Sequence, residues 1–324
     1  MNKRTLITAA LGAALTTLLP LTGQAQAWPA GPVRIIVPFA PGALTDLAAR
    51  NIAAELSAIS GTSFVVENKG GAGGTIGTAE VAKAKPDGNT LVFTDSSLTI
   101  SPGLYAKLTY DTVKDLTPIT VAVEAPAIMV ARTQLGAKTL KEIVELARAK
   151  PMTLTFGSGG QGSSAHLATE VFLGQAGLRM THVPFKGVAA ALTDVAGNQI
   201  DICFASLGGA SGHIRGNRVV PVAVSGRSRS ATFPEIPTFA ELGFPQYDVV
   251  YRFGLLGPAG MNPMVVKTLQ DGVARAMASP KMKTFLDSQG ANAIRVDGAD
   301  YAALIQRELA MWKQAIDQAG VKVQ

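Results

Sequence analysis

Twice along this chain a short β-rich run ends in a glycine-rich turn and passes directly into a helical stretch. The two turns are PFAPGALTD, Pro38 to Asp46, and TFGSGGQGSSAH, Thr155 to His166. A strand that feeds a helix through so short a connection constrains the fold, because the helix must return across a sheet face. Each turn also leaves the first N–H groups of its helix without intrahelical acceptors, at the end where the macrodipole favours negative charge. One such turn is a candidate anion site. Two of them, about 115 residues apart, suggest two lobes gripping one small anionic ligand.

The rest of the chain extends the same alternation. Val33–Phe39, Ser63–Glu67 and Thr90–Thr94 read as strands, with helical spacing in Leu44–Ile59 and Thr75–Ala84 between them. That pattern predicts a parallel sheet with helices on its faces. It restarts after Val130. Thr139 opens a helix with Glu142 three residues on, a capping-box arrangement, and Leu140, Ile143, Val144 and Ala147 mark its apolar side. Strands follow at Thr153–Phe156, Met180–Val183, Ile200–Ala205 and Val219–Val224. Asp297 is placed to cap a last helix that buries Tyr301, Leu304, Ile305, Trp312 and Ile316. Two nearly continuous apolar stretches, Ile119–Ala131 and Val249–Leu256, are suited to carry the chain between lobes, with the second lobe inserted in the first.

The N-terminus reads as an export signal: Lys3 and Arg4, an apolar stretch from Leu6 to Leu21, then Ala25-Gln26-Ala27. Cleavage is expected after Ala27, and no cysteine lies near it to carry a lipid. The apolar stretch is interrupted by Gly12, Thr16, Thr17 and Pro20, short of the roughly 20 apolar residues that a membrane anchor needs. Removing Lys3 and Arg4 from 29 basic residues leaves 27 against 23 acidic ones, a net charge of +4. The basic residues are spread along the chain, without the clusters of a nucleic-acid binder. Cys203 is the sole cysteine, so an intrachain disulfide is impossible, and its apolar strand predicts a buried, inert thiol.

Catalytic signatures are thin. Gly157, Gly159 and Gly162 satisfy G-x-G-x-x-G, but the next strand ends His182-Val183-Pro184 without the acidic residue that a dinucleotide site requires. His166, His182 and His213 have no metal-site spacing, and neither a nucleophile elbow nor a P-loop occurs. No metal, cofactor or catalytic group is expected. A secreted hydrolase or isomerase using His166 with Ser163 or Ser164 is the alternative reading, and a sensory ectodomain on the same fold is a third. The glycine loop Glu67–Gly74 lacks the Lys-Ser/Thr ending of a P-loop and is either a connector or a cleft rim.

Several segments, taken in order, resemble one family. They are PVRIIVPFAPGALTD, VVENKGGAGGTIGT, AKAKPDGNTLVFT, SPGLY, FGSGGQGSSAHLATEVF, HVPFKG, DVAGNQIDICF, FPEIPTFAELGFP, FGLLGPAG and MWKQAIDQAGV. The chain is similar to Bug-type periplasmic solute-binding proteins, the TctC receptors of tripartite tricarboxylate transporters. The resemblance covers essentially all of the chain after residue 27. It implies a type II-like Venus flytrap: two α/β lobes joined by two crossing segments, with 28–124 plus 256–324 as lobe 1, 125–255 as lobe 2 and the ligand cleft between them. It also implies a monomer that binds a small organic carboxylate and docks transiently on membrane permease subunits.

On that resemblance the carboxylate is held by the first turn (Phe39, Pro41, Gly42, Ala43, Leu44, Thr45, Asp46) and by the second (Ser158, Gly159, Gly160, Gly162, Ser163, Ser164, His166). The stretch Thr94 to Ser97 after the third strand also faces the cleft, with Thr94, Ser96 and Ser97 as its contacts, and Ser206 completes the expected site. Two positions depart from the family. Pro41-Gly42-Ala43 replaces Pro-Gly-Gly, so Ala43 can donate its N–H only if its φ is negative. Arg252 stands where relatives place Trp, and its guanidinium is expected either to reach the cleft and pair with a second acidic group of the ligand or to lie over the hinge surface.

Overall fold

The computed structural model describes residues 28–319 except residue 227. The export-signal reading of residues 1–27 lies outside the described residues. The strands are β1 (Val33–Val37), β2 (Phe64–Asn68), β3 (Thr90–Thr94), β4 (Leu116–Arg132), β5 (Thr155–Ser158), β6 (Thr181–Pro184), β7 (Ile202–Ser206), β8 (Val219–Val224), β9 (Val250–Pro258) and β10 (Asn292–Asp297). The helices are α1 (Leu44–Ser60), α2 (Thr75–Ala82), α3 (Ser97–Leu104), α4 (Leu140–Ala149), α5 (Ser164–Ala176), α6 (Val188–Ala196), α7 (Leu207–Arg215), α8 (Pro263–Met277), α9 (Pro280–Gln289) and α10 (Gly298–Ala319).

Two α/β lobes share the long strand β4. Its N-terminal part lies in a sheet ordered β2-β1-β3-β9-β4-β10, where β1 is parallel to β2 and β3, and β9 and β10 run antiparallel to their neighbours. From Ala127 onward β4 belongs to a second sheet, β8-β4-β7-β5-β6. β9 is the second crossing segment. It pairs with β4 through Ala125↔Tyr251 and Pro126↔Val250, so the two crossing strands lie side by side.

Parallel strands covered on both faces need apolar residues throughout, and Val33, Ile35, Ile36, Val37, Leu91, Val92 and Phe93 are all buried. In the second lobe Phe172, Phe204, Phe239 and Tyr247 form an aromatic core, with Phe239 and Tyr247 centroids 4.4 Å apart. Thr139 and Glu142 make the capping box that opens α4. Cys203 is buried, and desolvation raises its thiol pKa well above the ordinary value, as its apolar strand predicts. α10 begins at Gly298, directly after Asp297, and buries Tyr301, Ile305, Trp312 and Ile316. β10, ahead of it, is half-exposed and carries no clean alternation, so the sequence alone does not reveal it.

Candidate functional site

Five helices begin around one point between the lobes. Ala43, Leu44 and Thr45 at the start of α1 line a small chamber, as do Asp95 just before α3, Ser164 and Ala165 of α5, Val188 of α6, and Ser206 before α7. Tyr251 and Phe253 of β9 close it. A second chamber adjoins it, lined also by Phe39, Gly159 and Ser163. Each is about 20 Å³, enough for a water molecule. With five macrodipoles presenting their positive ends, the chamber favours negative charge, at about 0.3–1 kcal/mol per helix.

The first turn is built for this. Gly42 takes φ +99°, which turns the chain sharply into α1. Ala43 then sits at φ −85°, ψ 168° and offers no side-chain cap, so among the described residues the N–H groups of Leu44 and Thr45 have no acceptor. The negative φ required of Ala43 is therefore met. In the second turn Ser163 caps α5 by accepting from the His166 N–H, and Ser206 caps α7 by accepting from the Gly209 N–H.

The chambers bring together Phe39, Ala43, Leu44, Thr45, Gly159, Ser163, Ser164 and Ser206 among the expected site residues. The others lie elsewhere. Pro41 and Gly42 are exposed and line neither chamber. Asp46 faces away, accepting from the Gly42 N–H, Arg50 and Asn68; burial raises its pKa, but these partners outweigh burial and hold it below the usual carboxylate range. Thr94, Ser96 and Ser97 are buried beneath the chamber, with Ser96 Oγ accepting from the Arg252 N–H at 3.3 Å. Ser158, Gly160 and Gly162 back the second turn: Ser158 Oγ is 2.6 Å from His182 Nε2, and the Gly162 N–H donates to His166 Nδ1.

Arg252 takes the second of its two readings. Its guanidinium does not reach either chamber but pairs with Glu124 at 3.1 Å and Glu308 at 2.9 Å. Successive residues of a strand point to opposite sides. On β9 it is Tyr251 and Phe253 that face the chamber, and Arg252 between them faces the carboxylates.

His166 is equally committed. It stacks on His182 at 4.1 Å, and His182 stacks on Phe156 at 4.8 Å. Burial lowers both imidazoles, His166 to about 3 with a contribution from the neighbouring His182, and His182 to about 4. Ser164 Oγ bonds Asp95 and Ser163 Oγ bonds backbone, so neither serine hydroxyl meets the His166 ring as a nucleophile–base pair would.

Asp95 lies within the Thr94 to Ser97 stretch expected to face the cleft, but the sequence does not single it out as a contact. It lines both chambers, accepts from the Ser97 N–H at 3.0 Å and from Ser164 Oγ at 2.5 Å. It is half-buried, and desolvation raises its pKa against the lowering effect of the two serines. The signal that could have found it was its place between Thr94 and Ser96 at the end of a strand that the sequence does reveal.

A larger hollow of about 510 Å³ lies against β4 and the end of α9. Glu124, Asp287 and the carbonyl end of α9 border it, which makes it a poor place for an anion even with Arg229 at its edge. The amide-lined chamber is the candidate site.

Two α/β lobes on shared crossing strands, with helix N-termini converging between them, define a periplasmic solute-binding protein. The chain matches the tripartite tricarboxylate transporter family receptor model, TctC, over residues 48–321, and belongs to that family. It is 31% identical to Protein BugT of Bordetella pertussis over 302 residues, 93% of each chain. The structure of the periplasmic binding protein BugD superposes with a TM-score of 0.88 at 30% identity, covering 92% of this chain and 100% of that one. MatC from Rhodopseudomonas palustris, solved with bound malate, gives 0.85 at 31% identity over 89% of this chain and 99% of its own.

Proposed function

We propose that this protein is an exported receptor that captures a small organic carboxylate between its lobes and delivers it to the membrane permease of a tripartite tricarboxylate transporter. The observation that carries the reading is the convergence of the α1 and α5 N-termini on one enclosed chamber. Unspent N–H groups and serine hydroxyls hold a carboxylate without a buried ion pair, which suits a receptor that must release its cargo. MatC, with malate bound, supports the ligand class. The receptor acts by binding alone.

Residues 28–124 with 256 onward form lobe 1 in this reading, and 125–255 form lobe 2. Residues 1–27 direct export to the periplasm and are removed after Ala27. The receptor works as a monomer and meets its permease transiently. A four- to six-carbon acid exceeds chambers of about 20 Å³, so the lobes must part for entry and settle around the ligand. The ligand then shifts the open–closed equilibrium by its preference for the closed form.

Mass spectrometry of small molecules that copurify, followed by a thermal-shift screen of carboxylic acids, tests the proposal. A true ligand at 100 times its Kd adds about 2.7 kcal/mol of stability. If no carboxylate in such a screen stabilises the protein, the proposal fails.

A further inference from the structure

The chamber has two unlike poles. One is the amide end, made by Leu44 and Thr45 of α1 with Ser164 and Ala165 of α5. The other is Asp95, whose carboxyl is held by Ser97 N–H and Ser164 Oγ and, among the described residues, has no salt-bridge partner. Arg252, next to Tyr251 on β9, is engaged by Glu124 and Glu308. Beside Asp95 stands Tyr251, only 3% exposed, lining the same chamber with a hydroxyl that has no hydrogen-bond partner. An enclosed carboxylate without a cation and a buried hydroxyl without a partner are each costly alone. Both costs fall if the ligand supplies a proton-bearing cationic group at this end.

A plain dicarboxylate does the opposite. With one acid group on the amides, its second would have to find room beside Asp95, and like charges in an enclosed site repel. Resting on the carboxylate reading above, we infer that Asp95, with Tyr251 beside it, is the specificity-determining pole of the site, and that the preferred ligand is a carboxylate bearing an ammonium group, a zwitterion of the amino-acid kind. The carboxylate seats on the helix N-termini, and the ammonium donates to Asp95 and to the Tyr251 oxygen. Asp95 also joins the lobes through Ser164, so the same contact that reads the ammonium belongs to the closed form.

The test compares acids that differ only by an ammonium at C2: alanine with propanoate, aspartate with succinate, and glutamate with glutarate. Affinities are measured by calorimetry on the wild type and on Asp95→Asn, which keeps the acceptor for Ser97 and a polar partner for Ser164. In at least one pair the ammonium form binds the wild type tenfold or more tightly than its partner, and Asp95→Asn reduces that ratio at least tenfold while the plain acid binds as well or better. Tyr251→Phe lowers the ratio by a smaller factor. A wild type that binds the plain acids as tightly as the ammonium forms, or a ratio unchanged in Asp95→Asn, overturns the inference and leaves the carboxylate reading standing. Failure of every carboxylate to bind overturns that reading as well.

Discussion

Ala43 shows how one backbone angle sustains a binding turn. Its φ of −85° needs no glycine, so the departure from Pro-Gly-Gly leaves the N–H donors of α1 in place. Proline tolerates this angle at a helix start but puts ring carbons where the N–H was. Ala43→Pro is therefore expected to weaken carboxylate binding at least tenfold, with the melting temperature nearly unchanged; calorimetry and thermal unfolding check both. Arg252 gives the reverse expectation. Its partner Glu308 is largely buried, so Arg252→Met leaves a carboxylate uncompensated and costs about 1–2 kcal/mol of stability. The ratio of dicarboxylate to monocarboxylate affinity should not move, because the guanidinium faces away from the chamber. These two residues also mark where the sequence was legible. The turn at Pro38 to Asp46 was readable because a strand, a glycine and a helix start adjoin in the chain. Arg252 stays undecided between cleft and hinge surface, and Asp95 is not singled out within Thr94 to Ser97, because facing depends on strand register and on contacts between distant segments, which composition at a position does not encode.

At the scale of elements, the glycine loop before α2 acts as a clasp. Gly73, at φ +63°, lies so close to the second lobe that a β-carbon there would sit 2.2 Å from the Gln161 carbonyl oxygen. Ala at that φ costs about 1–2 kcal/mol wherever the lobes stand, and the clash adds to it only on closure. Gly73→Ala should thus cut ligand affinity tenfold or more, beyond its modest effect on unfolding of the ligand-free protein. The loop is the cleft rim that the sequence left undecided against a connector, since only the closed contact separates the two. The buried stack of His166 and His182 sets the response to acid. Both imidazoles titrate lower folded, at about 3 and 4, than their ordinary value of 6.5, because burial disfavours their charged form. The unfolded chain then binds more protons below 6.5, and stability falls as pH drops toward 4. Glu170 beside them is pushed up to about 7 by burial, so its contribution falls as pH rises from 4.5 through 7. Glu170→Gln should raise the melting temperature at pH 8 relative to the wild type, and by clearly less at pH 5. A uniform change at both pH values would contradict the assignment.

For the whole molecule, several direct bonds join the two lobes among the described residues. Ala40 N–H donates to the Lys186 carbonyl at 3.1 Å, Tyr105 Oη to the Gln161 carbonyl at 2.7 Å, Ser164 to Asp95, Arg215 to the Ser288 carbonyl at 3.2 Å and Thr232 Oγ1 to the Asp287 carbonyl at 3.1 Å, while Arg252 beside the crossing pairs with Glu308. Contacts of this kind are each worth about 1 kcal/mol net, so the closed arrangement is readily biased by a ligand. Small-angle scattering should show a smaller radius of gyration once a carboxylate saturates the protein. The alternation of strands and helices made the two-lobe architecture legible, because a repeated strand–turn–helix unit dictates sheet and layers. How far apart the lobes stand was not legible, being an equilibrium among long-range contacts. The most direct measurement is a crystal structure of the protein with a carboxylate that stabilises it. The acid group should lie within hydrogen-bonding distance of the α1 and α5 N-terminal N–H groups, enclosed by both lobes. Density for that ligand in the hollow beside the end of α9, or on one lobe's outer face, would contradict the account.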